Sequence, residues 1–253
     1  MGLRNIILSG IILLCSAPAF SSMTISGTRI VFPGSDKEVS VRTNNKGDKP
    51  ALVQVWVDDG RQNEHLDNVP VPFIVTPPVY RVEPGKGQSI RMIYNGMVLP
   101  QDRESVFWFN MLEIPSIVKI GKQQSRLELA FRTRIKVFYR PAALISNNIE
   151  QKDKIRWSLV SGGSRGIGIK MVNPTPYYYS FDGGDVVTVN NFKVNLNMDM
   201  VAPFSEKVFY PARRMSASEV NKLNYRLLND YGATVSDALQ YKSEAGFLRI
   251  NKS

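Results

Sequence analysis

The chain has 253 residues, 43% hydrophobic and 21% charged, a length that fits two domains of about 110 residues each once a leader is set aside. One histidine and one cysteine exclude a multi-histidine metal site and an internal disulfide. The formal charge of +10 fits nucleic acid, a membrane surface or an acidic protein as partner. The chain has no basic run with interleaved aromatics, no zinc spacing and no helix-turn-helix pattern, so an acidic or carboxylate-bearing protein is the partner expected. A generally solvated basic surface is the plain alternative.

Residues 1–22 read as a secretory signal peptide. Arg4 gives the positive start, residues 6–14 the apolar run, and Ala17-Pro18-Ala19 a small-x-small cleavage signal. Cleavage is expected between Ala19 and Met23. The run is too short to span a bilayer, and no later segment approaches the needed length. Cys15 leaves with the leader, so the exported chain has no cysteine in an oxidising compartment.

Short alternating runs follow at residues 29–32, 38–43, 51–57, 71–75, 89–94 and 106–113. Pro33-Gly34, Pro77-Pro78, Pro84-Gly85, Asn95-Gly96 and other turn formers separate them. With residues 127–140 they make seven strands, the pattern of an immunoglobulin-like sandwich. Trp56, in an otherwise apolar strand, is expected as a buried core aromatic.

Residues 127–141 read LELAFRTRIKVFYRP and are the most informative stretch. Side chains alternate along a strand, so Leu127, Leu129, Phe131, Thr133, Ile135, Val137 and Tyr139 share one face. Glu128, Arg132, Arg134 and Lys136 share the other, and Pro141 ends the run. Two readings stand: an inner strand with its apolar face in a core, or an edge strand that lends its apolar residues to another chain. Edge strands are usually blunted by charge or proline, so a long edge with large apolar residues at its start needs a reason to stay open.

Residues 141–154 read as an interdomain hinge, dividing the mature chain into 23–143 and 144–253. The β pattern resumes at 156–160, 167–173, 177–181, 186–189, 192–196, 206–210, 224–228 and 239–241, with a short helical turn expected within 216–223. Residues 161–168, SGGSRGIG, mimic a phosphate-binding glycine turn. The prolines and β-rich residues that follow forbid the helix such a turn requires, which leaves a glycine-rich hairpin. His65 sits in a polar loop with no nucleophile elbow. Asp102-Arg103-Glu104 reads as ion pairing. No enzyme activity, catalytic residue, cofactor site or metal site is expected.

The 127–141 stretch, together with LPQDRESVFWFNMLEIP (99–115), GTRIVFPG (27–34), TPPVYRVEPG (76–85), NPTPYYYSF (173–181) and LLNDYGA (227–233), resembles the periplasmic pilus (fimbrial) assembly chaperone family. The pieces occur in the family's order over nearly the whole chain. The resemblance implies an all-β fold of two immunoglobulin-like sandwiches in an L-shaped (boomerang) arrangement. It implies that Arg29 and Lys136 anchor the C-terminal carboxylate of a pilus subunit. It makes Leu127, Leu129 and Phe131 the donor residues that complete the subunit's sandwich. Glu104, Arg140 and Asp230 match an interdomain ion-pair network, Arg91 a basic position near the cleft, and Thr76-Pro77 a cis peptide. The short loop between Pro115 and Leu127 goes with the short-loop class. The implied partners are pilus subunits and an outer-membrane usher, without nucleic acid or membrane insertion, and the unloaded chain is expected to be prone to self-association. The competing reading is a secreted two-domain immunoglobulin-like adhesin or structural pilus component.

Overall fold

Alternating β-branched and aromatic residues, punctuated by Gly and Pro, fold here into strands and almost nothing else. The computed structural model describes residues 23–61, 70–114 and 129–249. The leader, His65, Leu127, Glu128 and the loop preceding Leu127 lie outside the described residues.

The first half holds β1 (Met23–Ile25), β2 (Arg29–Pro33), β3 (Glu38–Asn45), β4 (Ala51–Asp58), β5 (Phe73–Thr76), β6 (Val79–Val82), β7 (Gly87–Tyr94), β8 (Ser105–Ile114) and β9 (Phe131–Arg140). They form two facing sheets, ordered β1-β3-β7-β5 and β2-β9-β8-β4-β6. Phe32, Val41, Val53, Val55, Ile90, Met92, Phe109 and Val137 fill the space between them. The sequence pattern suggests seven strands; nine are found among the described residues. β1 is three residues long, too short for a periodicity to register. β6 follows two prolines, with the Thr76–Pro77 bond cis as expected.

Trp56 is not a core residue. On β4 the inward positions are Val53, Val55 and Val57, so period two turns Trp56 to the outer face. There the Arg132 guanidinium covers its ring at 5.0 Å.

The second half holds β10 (Arg156–Ser161), β11 (Ile167–Asn173), β12 (Phe181–Thr188), β13 (Lys193–Leu196), β14 (Ser205–Phe209), β15 (Val220–Leu228), β16 (Thr234–Lys242) and β17 (Gly246–Arg249). The sheets run β10-β11-β14 and β13-β12-β15-β16-β17 around Ile169, Met171, Leu196, Leu223, Tyr225 and Leu227. The runs expected at 177–181 and 186–189 are not two strands. One strand passes through Gly183-Gly184 with a register shift between Phe181 and Gly184, the irregularity that a glycine with φ +105 permits. The helical turn is confined to Ala217–Glu219, where the Glu219 carboxylate accepts the Ser216 N–H at 2.8 Å; residues 220–223 already belong to β15.

The glycine-rich stretch is a hairpin turn. Ser161 pairs with Ile167 in the antiparallel β10–β11 ladder, and a strand, not a helix, follows. Gly166 is required there by its φ of +83 and by the Met215 carbonyl, which would lie 2.6 Å from an added Cβ.

Candidate functional site

Strand β9 carries the site, and its two edges are paired unequally. One edge pairs antiparallel with β8 from Phe131 to Tyr139. The other pairs parallel with β2, but only from Lys136 to Arg140. Among the described residues no strand covers that second edge from Phe131 to Ile135. Among the described residues the strand is therefore internal at its end and an open edge at its beginning.

The apolar face changes at the same place. Ile135, Val137 and Tyr139 are buried in the sandwich core, whereas Phe131 is 63% exposed and Leu129 is 58% exposed. Their alternation continues the pattern of core residues beyond the end of the core. Among the described residues neither of these two side chains packs into the core.

The opposite face presents Arg132, Arg134, Lys136, Phe138 and Arg140 in order. Arg132 and Arg134 both pair with the buried Asp58 carboxylate, Arg132 at 3.1 Å. Asn110 supports them, donating to Asp58 at 2.8 Å and accepting from Arg132 at 2.7 Å. At the far end Arg140 donates through Nε to Glu104 at 2.8 Å and grips Asp230 with both terminal nitrogens, at 2.7 and 2.8 Å. Lys136 stands between these clusters, and among the described residues no carboxylate lies within ion-pair distance of it.

Arg29 joins Lys136 through register: the parallel β2–β9 ladder places Arg29 directly opposite Lys136. Arg29 lies over the Phe138 ring at 5.7 Å and donates to the Leu228 carbonyl at 3.4 Å. It too has no carboxylate within ion-pair distance among the described residues. Burial lowers the Lys136 pKa, and the Arg29 charge lowers it further. Burial also lowers the Arg29 pKa, against the raising influence of Asp230 and Glu104. Two part-buried cations side by side repel each other, and a carboxylate between them would relieve both penalties through charge-assisted hydrogen bonds. The pair sits where the open edge of β9 begins.

The junction between the sandwiches is built from the sequence-matched residues. Glu104, 3% exposed, accepts the Tyr178 N–H at 2.8 Å with its second oxygen. Burial raises the Glu104 pKa, with Arg140 and the Tyr178 N–H pulling against it. Burial alone would lower the Arg140 pKa, but Asp230 and Glu104 outweigh it and raise it. Phe138 packs against the Tyr178 ring, with centroids 5.7 Å apart. Gly232, in the LLNDYGA stretch, has φ +80 and lies so close to Thr28 that an added Cβ would sit 2.0 Å from its hydroxyl. The structure thus brings Arg29 and Lys136 together, and beside Arg29 it pairs Glu104, Arg140 and Asp230 with one another.

Arg91 does not belong to this cleft. It points outward from the other sheet of the first sandwich, in an exposed ion pair with Glu38. Asp102 pairs with Arg103 at 2.7 Å, while Glu104 turns away to Arg140. Sequence reading also missed Asp58, the one carboxylate that two of the strand's arginines share, and Asn110, whose neutral amide hydrogen-bonds to Asp58 and Arg132. Nothing local marks Asp58 as a partner of residues 74 and 76 positions away.

Comparison with known proteins bears on this geometry. Residues 22–145 match the family model "Pili and flagellar-assembly chaperone, PapD N-terminal domain". Residues 150–238 match "Pili assembly chaperone PapD, C-terminal domain". The chain is 40% identical over 223 residues to the probable fimbrial chaperone YadV of Escherichia coli K12, covering 87% of this chain and 90% of that protein. It is 38% identical over 224 residues to the chaperone protein HifB of Haemophilus influenzae, covering 87% of this chain and 88% of that protein. The crystal structure of YadV superposes with a TM-score of 0.73 at 38% identity, over 87% of this chain and all of that one. The CupB2 chaperone of Pseudomonas aeruginosa does so with a TM-score of 0.71 at 37% identity, over 85% of this chain and 98% of that one.

Proposed function

The chain belongs to the pili-assembly chaperone family, and from that premise we propose how its own residues capture a pilus subunit. Arg29 and Lys136 receive the subunit's C-terminal carboxylate. That contact fixes register, and the subunit's last strand extends along the open edge of β9. Backbone hydrogen bonds then give affinity that does not depend on the subunit's sequence, as in other strand-addition complexes. Leu127, Leu129 and Phe131 enter the groove left by the subunit's missing strand. Each large side chain buried there contributes roughly 1.5–3 kcal/mol before ordering costs. Glu104, Arg140 and Asp230 hold the N-terminal domain, residues 23–143, against the C-terminal domain, residues 144–253.

The observation that carries this reading is a coincidence of place. The β2 cover of β9 ends at Lys136, where two cations stand together with no carboxylate in ion-pair distance among the described residues, and within the next few residues, between Ile135 and Phe131, the apolar alternation leaves the core. A secreted adhesin would need no such coincidence. The chain acts in the periplasm, led there by residues 1–22, and hands its subunit to an outer-membrane usher. Among the described residues no helix is long and apolar enough to cross a membrane. The captured subunit is protected because its own core is completed by the chaperone's side chains.

Co-purification from periplasm with the subunits encoded beside it tests the reading, comparing wild type with Lys136→Ala. Capture by wild type alone supports both the chaperone activity and the carboxylate anchor. Equal capture by both chains removes the anchor while keeping strand addition.

A further inference from the structure

Arg29 must be aimed as well as charged, and the residues that aim it come from outside its own sandwich. Asn148, in the hinge segment, is 4% exposed. Its amide nitrogen donates to the Leu228 carbonyl at 3.1 Å and to the Tyr178 carbonyl at 3.5 Å. Two carbonyl acceptors fix which way the amide faces, because the oxygen end cannot donate to them. The Leu228 carbonyl is also the acceptor for Arg29. Arg29 and Asn148 therefore converge on one oxygen and line the same small cavity, of about 10 Å³, with Glu104, Phe138, Arg140 and Asp230. Two polar atoms in these side chains have no hydrogen-bond partner among the described residues: the Arg29 Nε donor and the Asn148 Oδ1 acceptor. They are chemically complementary, and the cavity is roughly the size of one water molecule.

We propose that Asn148 is the positioning residue for Arg29: Asn148 Oδ1 takes the Arg29 Nε–H, through one bridging water, while both side chains hold the Leu228 carbonyl. This leaves the outer guanidinium edge free for an incoming carboxylate. It also ties the aim of the anchor to the seating of the C-terminal domain, because Leu228 ends β15 and Asp230, the partner of Arg140, lies two residues beyond. The inference rests on the carboxylate role given to Arg29 above.

Hydrogen exchange at the arginine Nε–H groups, read in a ¹H–¹⁵N spectrum of the whole exported chain, tests the positioning without any ligand. In wild type the Arg29 Nε–H should exchange slowly; rapid exchange there overturns the proposal whatever any variant does. Asn148→Ala should speed it by about tenfold or more, the loss expected for a hydrogen bond to a charged group. Arg140 Nε–H, held by Glu104, reports in the same spectrum on an intact junction and should not change. An unchanged Arg29 signal in Asn148→Ala sinks the proposal. A second arm uses a synthetic peptide of alternating valine and threonine with a free C-terminal carboxylate, and the same peptide amidated. Asn148→Ala should reduce the preference for the acid, whereas a purely structural role would weaken both peptides alike. If wild type shows no preference for the acid, the carboxylate reading of Arg29 fails, and the exchange measurement still decides the role of Asn148.

Discussion

Lys136 and Arg140 lie four residues apart on the same face of the same strand, yet they are held in opposite ways. Arg140 has two carboxylates, three hydrogen bonds of 2.7–2.8 Å and an aromatic ring beneath it. Lys136 has a second cation opposite it and, among the described residues, no carboxylate within reach. A saturated cluster is finished structure, since nothing can bind it without breaking what is there. An unsaturated, part-buried pair of like charges costs the free protein stability, a cost that a bound anion would relieve. Charge alone does not distinguish them; the count of acceptors does.

The sharpest way to break the contrast is to empty the saturated cluster. Arg140→Ala leaves the buried Glu104 without its cation, with only the Tyr178 N–H to hold it, and should cost about 3–5 kcal/mol of stability, read by denaturant or thermal unfolding. Unfolding indistinguishable from wild type would mean that the junction bears no such load. Lys136→Met, by contrast, removes a charge that burial already penalises. The free chain should unfold no earlier than wild type, and subunit affinity should fall by roughly 2–5 kcal/mol, the usual loss when one partner of a buried charged contact is removed. Early unfolding of this variant would put Lys136 in the structural class with Arg140.

Leu129→Glu probes the open edge itself. The side chain is exposed in the free chain, so folding should be unaffected, while a charge carried into the subunit groove weakens capture by about 1–3 kcal/mol. Unaltered capture would point to a different binding strand. The pH dependence is a smaller effect with a definite sign. The lowered Lys136 pKa means that this amine loses its proton below the ordinary lysine value of about 10.4. Affinity for a carboxylate should therefore decline as pH rises through that depressed value, and binding near it should take up a proton, measurable by calorimetry in buffers of different ionisation enthalpy. The smallest effect lies within the C-terminal sandwich. Burial alone would raise the Asp237 pKa, but hydrogen bonds from Lys152 and the Ala238 N–H, with the Arg249 charge, outweigh it and lower it. A lowered carboxylate pKa stabilises the fold above the unfolded value of about 3.9 and loses that contribution as pH falls through the folded one. Asp237→Asn should flatten the acid limb of the stability profile; a limb as steep as wild type would assign acid sensitivity elsewhere.

Much of this was legible beforehand. Alternation gave most of the strands, and the 127–140 run displayed both its apolar and its basic face. The short β1, the proline-led β6 and the unbroken β12 were hidden because alternation needs several residues to register and glycine pairs look like turns. Trp56 misled because an aromatic among valines looks internal, whereas the cation covering it comes from residue 132. Matched motifs singled out Arg29, Lys136, Glu104, Arg140 and Asp230 but not their differing states, and they set Arg91 near the cleft, whereas it pairs with Glu38 on the other sheet.

The sequence by itself determined the β architecture, the donor-like alternation and the identity of the charged residues, because periodicity and local turn chemistry are properties of neighbours along the chain. Tertiary structure alone decided where β2 stops covering β9, which cations find carboxylates and which carbonyl Arg29 reaches. Those outcomes depend on pairing register and on contacts such as Arg29 with Leu228, 199 residues apart, and a linear pattern does not encode which distant acceptor arrives first.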